Sequence, residues 1–262
     1  MTIKQSAWTG MMPVDDTALA VTDTGGTGRP VVYLNGQFAS QPSWRRVIAE
    51  LGSGYRHITY DERARGKSKR SADYSFEAGV RDVGAVLETR GVDRPLLVGW
   101  SYGAALGVQW AARNPDRVAG VVSVDGALPY DFTDDSTLEQ IRQTFRRMRW
   151  LLPLVRPLGM TARMSAEQHA DCNVEILEVL AKFGPVLEEV TVPVRFVMGT
   201  GVHMGATQEQ VQQMRTSLDP LLARNPYLKV SATVASNHTK ILRNDFRAVA
   251  DTVREIAATR GH

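Results

Sequence analysis

The run Gly99-Trp-Ser-Tyr-Gly103 sets a serine between two glycines, with one residue on either side. It follows the apolar stretch Pro95-Leu-Leu-Val98 and precedes a segment from about Ala104 to Arg113 that suits a helix. A sharp strand-to-helix turn of this kind lifts a hydroxyl above a sheet, and glycine is what fits between the neighbouring strand and helix. The N-terminus of the helix then offers backbone N–H groups and a partial positive charge to a developing oxyanion. The bland alternative is a turn serine in a glycine-rich loop, and only the strand-to-helix placement weighs against it. The chemistry such a serine fits is nucleophilic attack on a carbonyl, provided that a base takes its proton.

Five histidines are candidates for that base: His57, His169, His203, His238 and His262. His57 begins an apolar strand and reads as structural, His169 lies in a helical stretch, and His262 is the last residue. His238 falls in Ser236-Asn-His-Thr-Lys240, after the last strand and before the last helix. In a doubly wound sheet that loop lies at the carboxyl edge, where crevices form and where Ser101 sits. His203 also follows a strand at that edge and is the rival.

A carboxylate should fix the imidazole tautomer and stabilise the imidazolium. Asp125 ends the strand Val118–Val124 and reaches the same edge. Its bland alternative is a strand-end aspartate accepting N–H groups in the turn with Gly126. Asp61, Glu209 and Asp245 are the other carboxylates expected near the edge.

These residues need a scaffold, and the chain supplies one. Strands are expected near Thr9–Thr24, at Val31–Leu34, His57–Tyr60, Pro95–Val98, Val118–Val124, Pro193–Met198 and Leu228–Val234. Phe76, Val80, Val83 and Leu87 mark one helix face, closed by Gly91, and Phe246, Val249, Val253 and Ile256 mark another. Apolar strands alternating with helices predict an α/β fold with a mostly parallel sheet covered on both faces. The rhythm breaks at 128–190, where helical periodicity runs without a convincing strand. Residues 1–127 and 191–262 would thus form the core, and 128–190 an inserted helical unit.

Composition sets bounds. The 262 residues are 43% hydrophobic and 23% charged, with a net charge of +3, too small an excess to argue for nucleic acid. The single Cys172 fits a reducing compartment. No signal-peptide core and no run of roughly 20 apolar residues is present, so a cytoplasmic location and no membrane span are expected. The glycines at 25, 26 and 28 precede a strand and lack a phosphate-loop lysine, and histidine and cysteine form no ligand-like spacing. No metal and no cofactor are expected.

Over nearly its full length the chain resembles the α/β-hydrolase superfamily, through Val31–Ser40, Asp61–Ser68, Gly99–Gly103, Val118–Pro129, Pro193–Gly201 and the His238 loop. The resemblance implies the chain order nucleophile, acid, histidine. Most members carry the acid after the seventh strand in a pattern like Gly-x-x-Asp, and here that reads Gly199-Thr-Gly-Val202. Some haloalkane dehalogenases and the lactone hydrolase that opens zearalenone place it after the sixth strand, which is where Asp125 lies. The family's His-Gly-x oxyanion loop reads Asn35-Gly36-Gln37, implying backbone donors at Gln37 and Tyr102, or Gly36 if the loop is shifted. The segment Asp61–Ser68 resembles a structural loop in which Asp61 and Arg63 brace their neighbours. The helical insertion resembles a cap, with Phe38, Trp100, Tyr130, Phe145, Trp150 and Phe183 as candidate pocket walls.

The resemblance implies acyl transfer to water on an ester or lactone of a small, fairly apolar molecule. A carbon–carbon hydrolase, thioesterase, amidase or perhydrolase with the same triad stays open, as does a binding or cyclase protein on the same scaffold. Haloalkane and epoxide hydrolysis are disfavoured, because relatives performing them use aspartate where Ser101 stands. The expected partner is a small-molecule substrate, with a homodimer left open.

Overall fold

The computed structural model describes residues 6–155, 162–202 and 207–259. Eight strands form one sheet: β1 (Trp8–Val14), β2 (Thr17–Asp23), β3 (Arg29–Leu34), β4 (Tyr55–Tyr60), β5 (Leu96–Trp100), β6 (Gly120–Val124), β7 (Val194–Gly201) and β8 (Leu228–Asn237). Their order is β1-β2-β4-β3-β5-β6-β7-β8. β1 and β2 pair antiparallel, as do β2 and β4, and every pairing from β4 through β3 to β8 is parallel. β5 and β6 are apolar on both faces because helices cover both. Val31 and Tyr33 of β3 face one core layer and Val32 and Leu34 the other, the period of two that a pleated strand imposes.

One layer is closed by α2 (Phe76–Thr89) and α3 (Tyr102–Arg113), and the other by α1 (Arg45–Leu51), α10 (Ile241–Asn244) and α11 (Phe246–Ala258). Gly91 takes φ +55 just past α2 and donates its N–H to the Glu88 carbonyl, so the expected helix stop is present.

Between β6 and β7 the described residues form four helices: α4 (Asp135–Met148), α5 (Leu152–Val155), α6 (Ala166–Ala181) and α7 (Gly184–Glu189). The stretch divides by packing. Phe183, Leu187 and Val190 are buried in the main core layer with α3, so the end of the 128–190 segment packs as core. α4 has no buried residue. α6 opens on a capping box in which Ser165 and Gln168 bond each other's backbone N–H.

Two stretches differ from the sequence expectation. β8 runs three residues further than expected, to Asn237, because two register shifts let it keep pairing with β7. That extension delivers His238 directly off the strand end. α8 (Gln208–Thr216) and α9 (Asp219–Arg224) occupy a stretch for which no element was expected. The signal for α8 was present, since Thr207 and Gln210 form a second capping box.

Candidate active site

Ser101 sits between β5 and α3 at φ 56, ψ −117, a conformation few non-glycine residues adopt. Its surroundings explain the glycines. A Cβ on Gly99 would come within 2.3 Å of the Gly103 carbonyl oxygen, and one on Gly103 within 2.2 Å of the Leu34 carbonyl oxygen. Gly126, which the sequence offered only as a turn residue, has the same duty: a Cβ there would lie 2.4 Å from the Ser101 carbonyl oxygen.

His238 Nε2 lies 2.9 Å from Ser101 Oγ, and its Nδ1 lies 2.8 Å from Asp125 Oδ2. The second Asp125 oxygen accepts the Gly199 N–H at 2.9 Å. A carboxylate accepts, so Nδ1 carries the proton and Nε2 is left to accept from the serine hydroxyl. The turn holding Asp125 is fixed at φ 48, with the buried Ser123 hydroxyl donating to the Gly126 carbonyl at 2.7 Å. The two readings of Asp125 therefore coexist: one oxygen serves a backbone N–H and the other the imidazole. The site can move a proton from hydroxyl to imidazole and hold the resulting charge.

His57 and His169 lie elsewhere. His57 is buried in β4, where its Nε2 bonds the Gly52 carbonyl and its Nδ1 the Tyr33 hydroxyl. A carbonyl only accepts, so Nε2 is the donor; burial pushes this imidazole below its usual pKa. His169 places Nδ1 2.7 Å from the Ser165 carbonyl and stacks on Phe145. His203 and His262 lie outside the described residues. Among the other carboxylates, Asp61 accepts the Gln41 and Lys67 N–H groups, both at 2.9 Å, and Arg63 forks onto Asp82, so that loop braces its neighbours.

Beside Ser101 opens a cavity of about 220 Å³. Gln37, Tyr102 and Tyr130 line it, together with Asp125 and His238. Burial and the nearby Asp125 charge push the Tyr130 phenol up to about 12. Tyr102, as the first residue of α3, has an N–H that its own helix cannot use. The Gly36–Ala39 turn closes through the Ala39 N–H and leaves that of Gln37 uncommitted to the turn.

The other expected walls are placed differently. Phe38 and Phe145 pack with His169 in a joint between the core and the inserted helices, outside the cavity lining. Trp100 lies behind the site, its ring 5.6 Å from His238 and against Gly36, where a Cβ would approach to 2.8 Å. Trp150 is 70% exposed, and Phe183 is core. The walls come instead from Leu128, Ile141 and Met214 and from one face of α6, Asn173, Ile176, Leu177 and Leu180. That face has the spacing i, i+3, i+4, i+7, which marks a covered stripe but not what covers it. Met214, on α8, had no readable signal.

Among the described residues no group of three or more histidine, cysteine, aspartate or glutamate side chains could hold a metal ion. No described helix is long and apolar enough to cross a membrane.

A mostly parallel sheet with a strained serine turn and a strand-end histidine and aspartate defines an α/β-hydrolase, and the chain belongs to that superfamily. The family described as alpha/beta hydrolase fold matches residues 29–156. A haloalkane dehalogenase of Mesorhizobium japonicum is 31% identical over 140 residues, 53% of this chain and 45% of that protein. Epoxide hydrolase B of Mycobacterium tuberculosis is 38% identical over 101 residues, 37% of this chain and 28% of the relative. The chain thus spans under half the length of these curated relatives. A thermophilic esterase from Thermogutta terrifontis superposes with a TM-score of 0.72 at 20% identity, over 97% of this chain and 98% of its own, a likeness of fold.

Proposed function

We propose that the protein is a serine hydrolase that cleaves an ester or lactone of a small, fairly apolar molecule through an acyl-enzyme. The observation that carries this reading is the chain of contacts from Ser101 Oγ to His238 Nε2 at 2.9 Å and from His238 Nδ1 to Asp125 Oδ2 at 2.8 Å. Ser101 attacks the carbonyl as His238 takes its proton. The N–H groups of Gln37 and Tyr102 hold the tetrahedral oxyanion. His238 then protonates the leaving oxygen, and water repeats the sequence on the acyl group. Asp125 fixes the tautomer and the charge of the imidazolium.

The dehalogenase and epoxide hydrolase relatives do not set the reaction class. The chain carries serine where such enzymes carry the aspartate nucleophile. The cavity supports the substrate class: its walls are aliphatic apart from the amides of Gln37 and Asn173, the rings of Tyr102 and Tyr130, and Ser101, Asp125 and His238. Among the described residues no lysine or arginine lines it, so a neutral acyl group is favoured over a carboxylate-bearing one. The helices α4 to α6 act as the cap, while α7 belongs to the core. A cytoplasmic location is part of the proposal and rests on the single cysteine of the chain; Cys172 is buried, and burial pushes its thiol up to about 11, which leaves it unreactive.

The test is labelling with a fluorophosphonate. Wild type is expected to form a covalent adduct at Ser101, mapped by mass spectrometry, and Ser101→Ala none. A folded wild type that stays unlabelled at neutral pH would overturn the reading.

A further inference from the structure

The loop after β4 places two buried ionisable side chains behind the oxyanion loop. Arg65 is 4% exposed. Its Nε donates to the Gln37 carbonyl, one terminal nitrogen donates to the Arg63 carbonyl at 3.1 Å, and its guanidinium sits 5.6 Å from the Tyr102 ring centroid. Glu62 is 2% exposed. One of its oxygens accepts the Asn35 backbone N–H at 2.9 Å and the other the Asn35 side-chain amide at 3.1 Å. The Asn35 side chain is fully committed, donating also to the Tyr60 carbonyl at 2.7 Å and accepting from Trp44 Nε1 at 2.9 Å.

We propose that Arg65 and Glu62 are positioning residues that hold the oxyanion hole in its working geometry. The inference rests on the serine-hydrolase reading. Gly36 has no side chain with which to anchor the oxyanion loop, and the two side chains tie the chain on either side of it. Glu62 fixes the N–H of Asn35, and Arg65 fixes the carbonyl of Gln37. With both ends held, the peptide joining Gly36 to Gln37, whose N–H is one proposed donor, cannot swing. Arg65 also lies over the side chain of Tyr102, whose N–H is the other donor, so one guanidinium links both halves of the hole.

The nature of the pair supports a positional role over a purely stabilising one. Removing two charges from water is unfavourable, and apolar side chains of equal volume would stabilise a core as well or better. What a guanidinium and a carboxylate supply, and apolar groups do not, is direction: fixed donors and acceptors aimed at chosen backbone atoms. Burial pushes the Glu62 carboxyl up to about 7, opposed by the Arg65 charge and the Asn35 donors. The site tolerates that cost next to the position where negative charge must be received.

The experiment compares wild type, Arg65→Met, Arg65→Lys and Glu62→Gln on a p-nitrophenyl ester of a short acyl chain, alongside the inhibition constant of a trifluoromethyl ketone. The ketone adduct places an oxyanion in the hole. Arg65→Met is expected to lower kcat roughly 10- to 100-fold, less than the ~10²–10³ of deleting a donor itself, with KM within about twofold. The ketone should weaken by the same factor as kcat, and Arg65→Lys, which keeps a charged donor, should recover part of both. A structural role alone would lower Tm while leaving kcat and ketone affinity together near wild type, and that result overturns the proposal. Should Arg65→Met fail to fold, Glu62→Gln decides: a joint fall of kcat and ketone affinity supports it, and neither moving sinks it. An inactive wild type that also ignores the ketone would instead condemn the hydrolase reading. A working wild type with unaffected variants condemns the positioning role alone.

Discussion

The turn from β5 into α3 and the surface helix α4 are opposites. At the turn, Cβ atoms on Gly99, Gly103 or Gly126 would each come within 2.4 Å of a backbone oxygen, and Ser101 is held at φ 56. Along α4, Asp135–Met148, no side chain is buried, and Met148 is 37% exposed. In the first region residue identity is dictated by atoms of the backbone itself. In the second it is constrained only by the need for a helix with one apolar stripe. The reaction type is written where sterics leave no choice, and the substrate is written where they leave a great deal.

The contrast can be broken most severely at the chemistry. Ser101→Ala should lower kcat/KM by at least about 10⁴-fold. Asp125→Asn should cost about 10³–10⁴-fold while the circular dichroism spectrum is retained, since the imidazole loses the carboxylate that sets its tautomer. Stopped-flow measurement of acylation checks both. Near-normal turnover by Asp125→Asn would mean that another carboxylate serves His238.

A backbone-level break should follow at Gly103. Gly103→Ala puts a Cβ 2.2 Å from the Leu34 carbonyl oxygen, which is sheet backbone and cannot yield. A loss of more than about 3 kcal/mol in urea unfolding, or no soluble protein, is expected. A stable, active variant would show the elbow to be looser than its contacts.

Much of this was legible in the sequence for a physical reason. Gly99, Ser101 and Gly103 form a local pattern, and local sterics can be read locally. Asp125 and His238 were placed at the right edge because each follows a strand of a parallel sheet, whose carboxyl ends all lie on one side. The cavity walls were not legible. Phe38, Phe145 and Trp150 are large aromatics, and size alone suggested walls, yet the first two pack into a joint and Trp150 faces outward. Ile176, Leu177 and Leu180 carried the right periodicity, but a stripe does not name its partner. Met214 comes from a helix that only the capping pair Thr207 and Gln210 announced.

Glu62 sharpens the comparison through pH. The raised folded pKa, about 7 against 4.5 for the free group, means that the folded state holds more protons than the unfolded state between those values. Glu62 therefore withdraws stability as pH rises from about 4.5 through 7, and the loss is complete above. Asp73 and Asp134, hydrogen-bonded and held down to about 2, titrate below this window. The shifted His57, Asp82 and Glu175 are common to both proteins and drop out of the comparison. Thermal unfolding of Glu62→Gln against wild type should show a gap in Tm that moves in favour of the variant between pH 5 and pH 7.5. A constant gap would place the Glu62 pKa at its ordinary value.

The smallest effects belong to the inserted helices, and they separate the walls from the surface. Leu177 lines the cavity, so Leu177→Phe should remove space and lower kcat/KM for a hexanoyl ester about 10-fold relative to an acetyl ester, the weight of one or two methylenes in an apolar pocket. Trp150, 70% exposed and away from the lining, is the control within the same unit. Trp150→Ser should leave both esters within about twofold of wild type and stability within about 0.5 kcal/mol. If Trp150→Ser instead altered the acyl preference as Leu177→Phe does, this tryptophan would have to swing over the cavity during turnover. The inserted helices would then choose the substrate by moving rather than by the shape they hold at rest.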